Sequence, residues 1–93
     1  MSFRQIITIT VLPGKGDEFA AAARARMADV QQEPGCEQFE IFRSVAQPDL
    51  FALMERWPDQ AAWEAHEELN KGRPQMGAGL RQPNPGRERY ITE

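Results

Sequence analysis

The sequence predicts an α+β domain of ferredoxin-like connectivity, β-α-β-β-α-β, built on a four-stranded antiparallel sheet. Three observations predict it. A run rich in β-branched residues opens the chain, "FRQIITITVL", and stops at Pro13-Gly14. Two further apolar runs, 36–45 and 50–57, are separated by the four residues "AQPD", a connection that suits an antiparallel hairpin. After the first run and after the hairpin come segments whose apolar residues recur every three or four positions, the period of a helix lying on a sheet.

Taken in order, residues 3–12 form the first strand, since Ile, Thr and Val favour the pleated backbone. A helix follows over 17–32. Phe19, Ala23, Met27 and Val30 fall on one face of it, and Asp17 and Glu18 sit in its first turn, where the helix dipole favours negative charge. Pro34-Gly35 ends the helix. Residues 36–45 and 50–57 are the hairpin strands. Pro58 stands at or near the first turn of a second helix, where its missing N–H costs nothing, and Lys71-Gly72 closes that helix after Asn70. The Gly- and Pro-rich stretch 73–85 holds at most one weak helical turn at 75–80, and "RERYIT" is a short last strand.

Right-handed crossovers place both helices on one face of the sheet. The strands are apolar on both faces, however. Phe51 and Leu53 point one way while Leu50, Ala52 and Met54 point the other; in the preceding strand Phe39 and Ile41 oppose Phe42. A face without helices should be polar. The expectation is therefore a homodimer, with a second copy of the chain covering the bare face.

At 93 residues the chain is expected to be one domain with a thin core. A net charge of −3 argues against general nucleic-acid binding, which needs Lys and Arg to neutralise phosphates. The charge is uneven, because Lys71, Arg73, Arg81, Arg87 and Arg89 have only Glu88 as an acid among them. That run is either a solvated basic tail or an anion-binding edge. A lone cysteine, Cys36, builds no disulfide framework and points to a reducing cytoplasm and a buried structural thiol. No run is long and apolar enough to span a membrane. One His and one Cys do not make the usual structural zinc site, and "MGAGLRQ" lacks the third glycine of a dinucleotide fingerprint. No cofactor is announced.

The chemistry-bearing residues concentrate near the third strand. Phe51, Leu53, Glu55 and Trp57 share a face of it, so a carboxylate interrupts an apolar row. On the second helix Ala62, Trp63, His66 and Leu69 form the apolar stripe, placing the only histidine toward the sheet. His66 reads either as a core histidine satisfied by a neighbour or as a pocket imidazole acting as base, since free imidazole titrates near ~6.5. Glu55 is either solvated at a fraying edge or the carboxylate that holds His66 in one tautomer. Phe51, Trp57 and Trp63 are either core or the aromatic surface on which a small substrate lies.

The segments "VLPGKGDEFAAAARA", "EPGCEQFEIFRS" and "PDLFALMERWPDQAAWEAH", in that order, resemble the antibiotic biosynthesis monooxygenase family over about residues 5–70. The resemblance implies a dimeric α+β barrel with a small-molecule pocket between helices and sheet, lined here by Trp57 and His66. Some members of that family oxidise aromatic polyketides or quinols without metal or flavin, and the leading expectation here is a monooxygenase acting on a phenol- or quinol-type aromatic, with His66 and Glu55 as catalytic residues. Relatives also include enzymes of phosphorylated sugars, so a phosphorylated or carboxylated metabolite and a non-catalytic ligand-binding dimer stand as alternatives. The haem-degrading branch uses an Asn on strand one and a later His, where this chain holds Ile7 and the 75–76 region. That departure speaks against haem breakdown.

Overall fold

Alternation along β1 (Ser2–Thr10) sets the architecture, because Phe3, Gln5, Ile7 and Ile9 are buried while the residues between them are exposed or partly so. In the computed structural model, which describes residues 2–83 and 85–92, this strand pairs antiparallel with β3 (Leu50–Trp57) on one side and β4 (Gly86–Thr92) on the other. β2 (Gln38–Arg43) completes the sheet beyond β3, giving the order β2-β3-β1-β4. Two helices, α1 (Gly16–Val30) and α2 (Gln60–Asn70), link the strands in the predicted ferredoxin-like sequence.

The register aligns the inward rows: Phe3 lies opposite Trp57, Gln5 opposite Glu55, Ile7 opposite Leu53 and Ile9 opposite Phe51. These rows and the helix residues Phe19, Ala23 and Val30 make one core. At its centre the cross-strand pair Gln5–Glu55 places two polar side chains side by side in otherwise apolar surroundings.

Each helix takes its N-terminal cap from an aspartate. The side chain of Lys15 offers α1 no cap; instead the Asp49 carboxylate, from the far end of the β2–β3 connection, accepts the N–H groups of Gly14 (3.1 Å) and Gly16 (3.2 Å). An anion at a helix N-terminus satisfies orphan donors and opposes the dipole. For α2 the cap is Asp59, whose side chain accepts the Ala62 N–H at 2.8 Å, so Pro58 precedes the helix and does not open it. The inward face of α2 differs from expectation. His66 is buried and Ala62 and Trp63 pack on the core, but Leu69 is 56% exposed, because the inward face of the last turn runs through Glu67 and Asn70 instead.

β2 is shorter than predicted, and Cys36 lies ahead of it, half-buried, in a turn. Residues 73–83 fold back across the end of the sheet, mostly as turns; Leu12 N–H bonds to Leu80 O at 2.8 Å and Gln82 N–H to Thr10 O at 2.8 Å. Gly77 sits here at φ +67°, and a Cβ on it would lie 2.4 Å from the fully buried Phe19 ring. Gly77→Ala is therefore expected to cost about 2 kcal/mol or more, combining the left-handed penalty with overpacking. Urea melts check this, and a variant as stable as wild type would contradict it.

Candidate active site

Strand β3 and helix α2 bring Glu55, Trp57 and His66 together, an approach that the face assignments allow without requiring it. The Trp57 ring is fully buried and stacks on the imidazole with centroids 4.7 Å apart at 25°. Phe39 of β2 packs on the imidazole as well, tilted at 5.8 Å. Held between two aromatic rings, His66 has little rotational freedom.

Its hydrogen-bond partner is not the expected one. Nδ1 lies 2.9 Å from Oε1 of Glu33, in the turn after α1, whereas Nε2 lies 3.9 Å from Glu55 Oε1, beyond direct hydrogen-bond reach. Arg73 donates to the other oxygen of Glu33 at 2.6 Å. As the carboxylate partner of a guanidinium, Glu33 accepts only, which assigns the imidazole hydrogen to Nδ1 and leaves the Nε2 lone pair toward Glu55. The carboxylate that orients the imidazole is thus Glu33, not Glu55. In the sequence Glu33 was visible only as part of "EPGC", forty residues from Arg73.

Glu55 is held from its other side. Trp57 Nε1 donates to Oε1 at 3.1 Å and Gln5 Nε2 donates to Oε2 at 2.7 Å. Gln5 cannot reverse its amide, because Arg89 Nε donates to its Oε1 at 2.7 Å. The Arg89 guanidinium also lies over the Trp63 ring, 4.9 Å from its centroid. Two guanidinium-anchored chains, Arg73–Glu33–His66 and Arg89–Gln5–Glu55, converge on one imidazole–carboxylate pair. Gln5 was legible in principle, since period-two spacing puts it in the apolar row of Phe3, Ile7 and Ile9.

Burial pushes the Glu55 carboxyl above its ordinary value of 4.5; the hydrogen bonds from Gln5 and Trp57 and the nearby imidazole oppose this without cancelling it. The folded protein therefore keeps this proton to higher pH than the unfolded chain does. Its contribution to stability is complete below the ordinary glutamate range and is lost as pH rises through the elevated value. In urea melts across that window, Glu55→Gln should lose less stability with rising pH than wild type. Parallel pH profiles would refute the assignment. Burial, then the charges of Glu33 and Glu55, push the Cys36 thiol up as well, which disfavours a reactive thiolate.

His66 and Glu55 line a cavity of about 370 Å³ bounded by β1, β2, β3, α1, α2 and the 73–76 segment. Ile7, Ile9, Phe39, Leu53 and Met76 form its apolar part, and Arg26, Lys71, Arg73, Arg81 and Arg87 its basic part. The three aromatic residues expected to face a substrate are not in its wall. Trp57 lies behind the imidazole; Trp63 stacks on Phe3 at 4.6 Å; Phe51 packs against Phe19 at 4.7 Å, with Arg43 over its ring. Their rings are taken up by the core instead: Trp57 and Phe51 are buried in it, and Trp63 packs against it from α2. Phe39 is the aromatic side chain that reaches the cavity. Among the described residues no helix is long and apolar enough to cross a membrane.

Fold and site together define a ferredoxin-like α+β protein with a cavity lined by a buried imidazole and a buried carboxyl group. The chain belongs to the antibiotic biosynthesis monooxygenase family, whose pattern it matches over residues 2–72. It is 33% identical over 60 residues to the protein named "Putative monooxygenase YcnE" of Bacillus subtilis (strain 168), a match spanning 64% of this chain and 63% of that protein. The crystal structure of PA3566 from Pseudomonas aeruginosa superposes with a TM-score of 0.81 at 28% identity, covering 99% of this chain and 94% of that one. SnoaB from Streptomyces nogalater, described as a cofactor-independent oxygenase and solved as a point mutant, shares the fold at 16% identity. Its TM-score is 0.82, over 98% of this chain and 92% of that one.

Proposed function

We propose that the protein is a cofactor-independent monooxygenase that takes a proton from a small phenol-, quinol- or anthrone-type aromatic. The observation that carries this reading is the buried pair of His66 and Glu55 in the cavity wall, with Nδ1 committed to Glu33. With that hydrogen fixed, Nε2 is the basic position, and substrate deprotonation makes an imidazolium beside Glu55. An ionised Glu55 attracts that charge across 3.9 Å, and the imidazolium in turn favours the ionised carboxylate against its burial.

The carbanion or phenolate so formed is the electron donor to O₂. For an anthrone-type substrate the balance is R₂CH₂ + O₂ → R₂C=O + H₂O, with all four electrons from the substrate. The chain's tasks are to bind, to deprotonate and to keep water from the reactive carbon; the apolar wall of Ile7, Ile9, Leu53 and Met76 serves the last. Oxygen uptake with a panel of anthrones and hydroquinones tests the reading. The expected result is uptake that falls by ~10² or more in His66→Ala. Uptake no greater than in that variant, across the panel, would overturn it.

A homodimer belongs to the same reading. Phe42 (45% exposed) and Met54 (37%) lie on the sheet face away from the helices, beside the partly exposed Ile6, Leu50 and Ala52. A second copy covering this face would bury them. Sedimentation at micromolar concentration should give about twice 10.6 kDa, and a stable monomer would contradict it.

A further inference from the structure

Five cations line the cavity, and their partners separate them. Lys71 pairs with Glu68 at 2.7 Å, and Arg73 pairs with Glu33 at 2.6 Å. Arg26 donates to Asn70 Oδ1 at 3.3 Å and to the Pro74 carbonyl. Arg81 and Arg87 have neither an acid nor a side-chain hydrogen bond among the described residues. Both are nevertheless aimed at the same place. Arg87 lies opposite Ile7 in the β1–β4 ladder, and Arg81 opposite Val11 in the isolated bridge that extends it. Ile7 and Val11 are inward, buried positions, so both guanidinium groups spring from the face of the sheet that forms the cavity.

Two like charges sharing a wall are unfavourable unless something of opposite sign comes between them. Burial, then the charge of Arg87, already lowers the Arg81 guanidinium from its ordinary value. The one acid lining the cavity besides Glu55 is Glu67, on α2. Nothing among the described residues neutralises the pair, and a planar guanidinium fork matches carboxylate and phosphate oxygens.

We propose that Arg81 and Arg87 form an anion subsite at the cavity mouth, which holds a carboxylate or phosphate group of the substrate while its ring reaches the His66–Glu55 pair. This rests on the cavity being the substrate site and narrows the substrate to an acidic aromatic. One anionic group placed between the two forks relieves their repulsion and fixes the distance from the mouth to the base.

The test is isothermal titration of the full chain with 4-hydroxybenzoate, phenyl phosphate and neutral phenol at low ionic strength. Wild type should bind one or both anions about 10-fold or more tighter than phenol, and the preference should shrink with added salt. Arg81→Gln/Arg87→Gln should bring anions and phenol within about 2-fold while leaving phenol binding unchanged; Arg81→Lys/Arg87→Lys should keep part of the preference. Which of the two anions gains more distinguishes a carboxylate from a phosphate subsite. Equal binding of anions and phenol by wild type would overturn the proposal, as would a preference that survives in the double Gln variant. Oxygen uptake with neutral hydroquinones is the separate readout. Uptake without anion preference removes the subsite and leaves the monooxygenase reading, and anion preference without uptake does the reverse.

Discussion

Replacing Trp57 with alanine is expected to destabilise the protein more than any other single change, by about 3–5 kcal/mol. The indole is fully buried, fills the inner end of β3 opposite Phe3, and stacks on His66. Its N–H is one of the two side-chain donors that hold the Glu55 carboxylate. Truncation thus opens a cavity, frees the imidazole and leaves a buried carboxylate with one donor fewer. Domains of this size are stable by only about 5–15 kcal/mol, so the loss should lower the melting temperature by more than about 12 °C. Trp57→Phe separates the contributions, since it keeps the stacking and removes the donor, at an expected cost of about 1–2 kcal/mol. Denaturant melts of the two variants check the order. Trp57→Ala within about 1 kcal/mol of wild type would show that the indole is not the keystone of the core.

Glu33→Gln is expected to have the largest effect on turnover relative to its effect on stability. The side chain keeps its shape, and Arg73 can still donate to the remaining carbonyl oxygen. The amide nitrogen then faces His66 and donates to Nδ1, which moves the imidazole hydrogen to Nε2. The lone pair is turned away from the substrate. An analogous tautomer inversion in the Ser-His-Asp triad costs about 10⁴ in turnover, so a loss of ~10² or more is expected here. The ¹⁵N shifts of the His66 ring report the tautomer directly, as Nδ1–H in wild type and Nε2–H in the variant. A variant that keeps the Nδ1–H tautomer, or that turns over at the wild-type rate, would show that Glu33 is only a structural partner of Arg73.

The fold was largely legible in the chain because it rests on local periodicities. β3 has the predicted bounds, and the α1 stripe of Phe19, Ala23 and Val30 is buried as the spacing requires, with Met27 packed beside it. The α2 stripe departs from expectation at Leu69, since the inward face at that end is polar, formed by Glu67 and Asn70 beside the cavity, and apolar periodicity does not register it. β2 was read too long for a related reason: apolar residues continue past the point where Ser44 turns the chain.

The candidate site was legible in part. Glu55 and His66 stood out as polar residues in apolar rows, which is a statement about one strand and one helix. Glu33 and Arg73 did not stand out, because neither interrupts a periodic pattern. Their meaning comes from the segments that follow α1 and α2, which meet only in the folded chain. Arg81 and Arg87 were visible as part of a basic run, but charge order along a chain says nothing about which cations find acids.

Element order, the inward row of β3 and a histidine on the inward face of α2 are properties of the chain alone, because each follows from alternation or helical repeat along one segment. Tertiary structure alone decided that Asp49 caps α1 from the hairpin, that Glu33 and not Glu55 orients His66, and that Trp57, Trp63 and Phe51 belong to the core rather than the cavity wall. The physical reason is that hydrogen-bond partners and cavity walls depend on separations of a few ångströms between elements distant in sequence. Local patterns fix which way a side chain points, and only packing fixes what it meets.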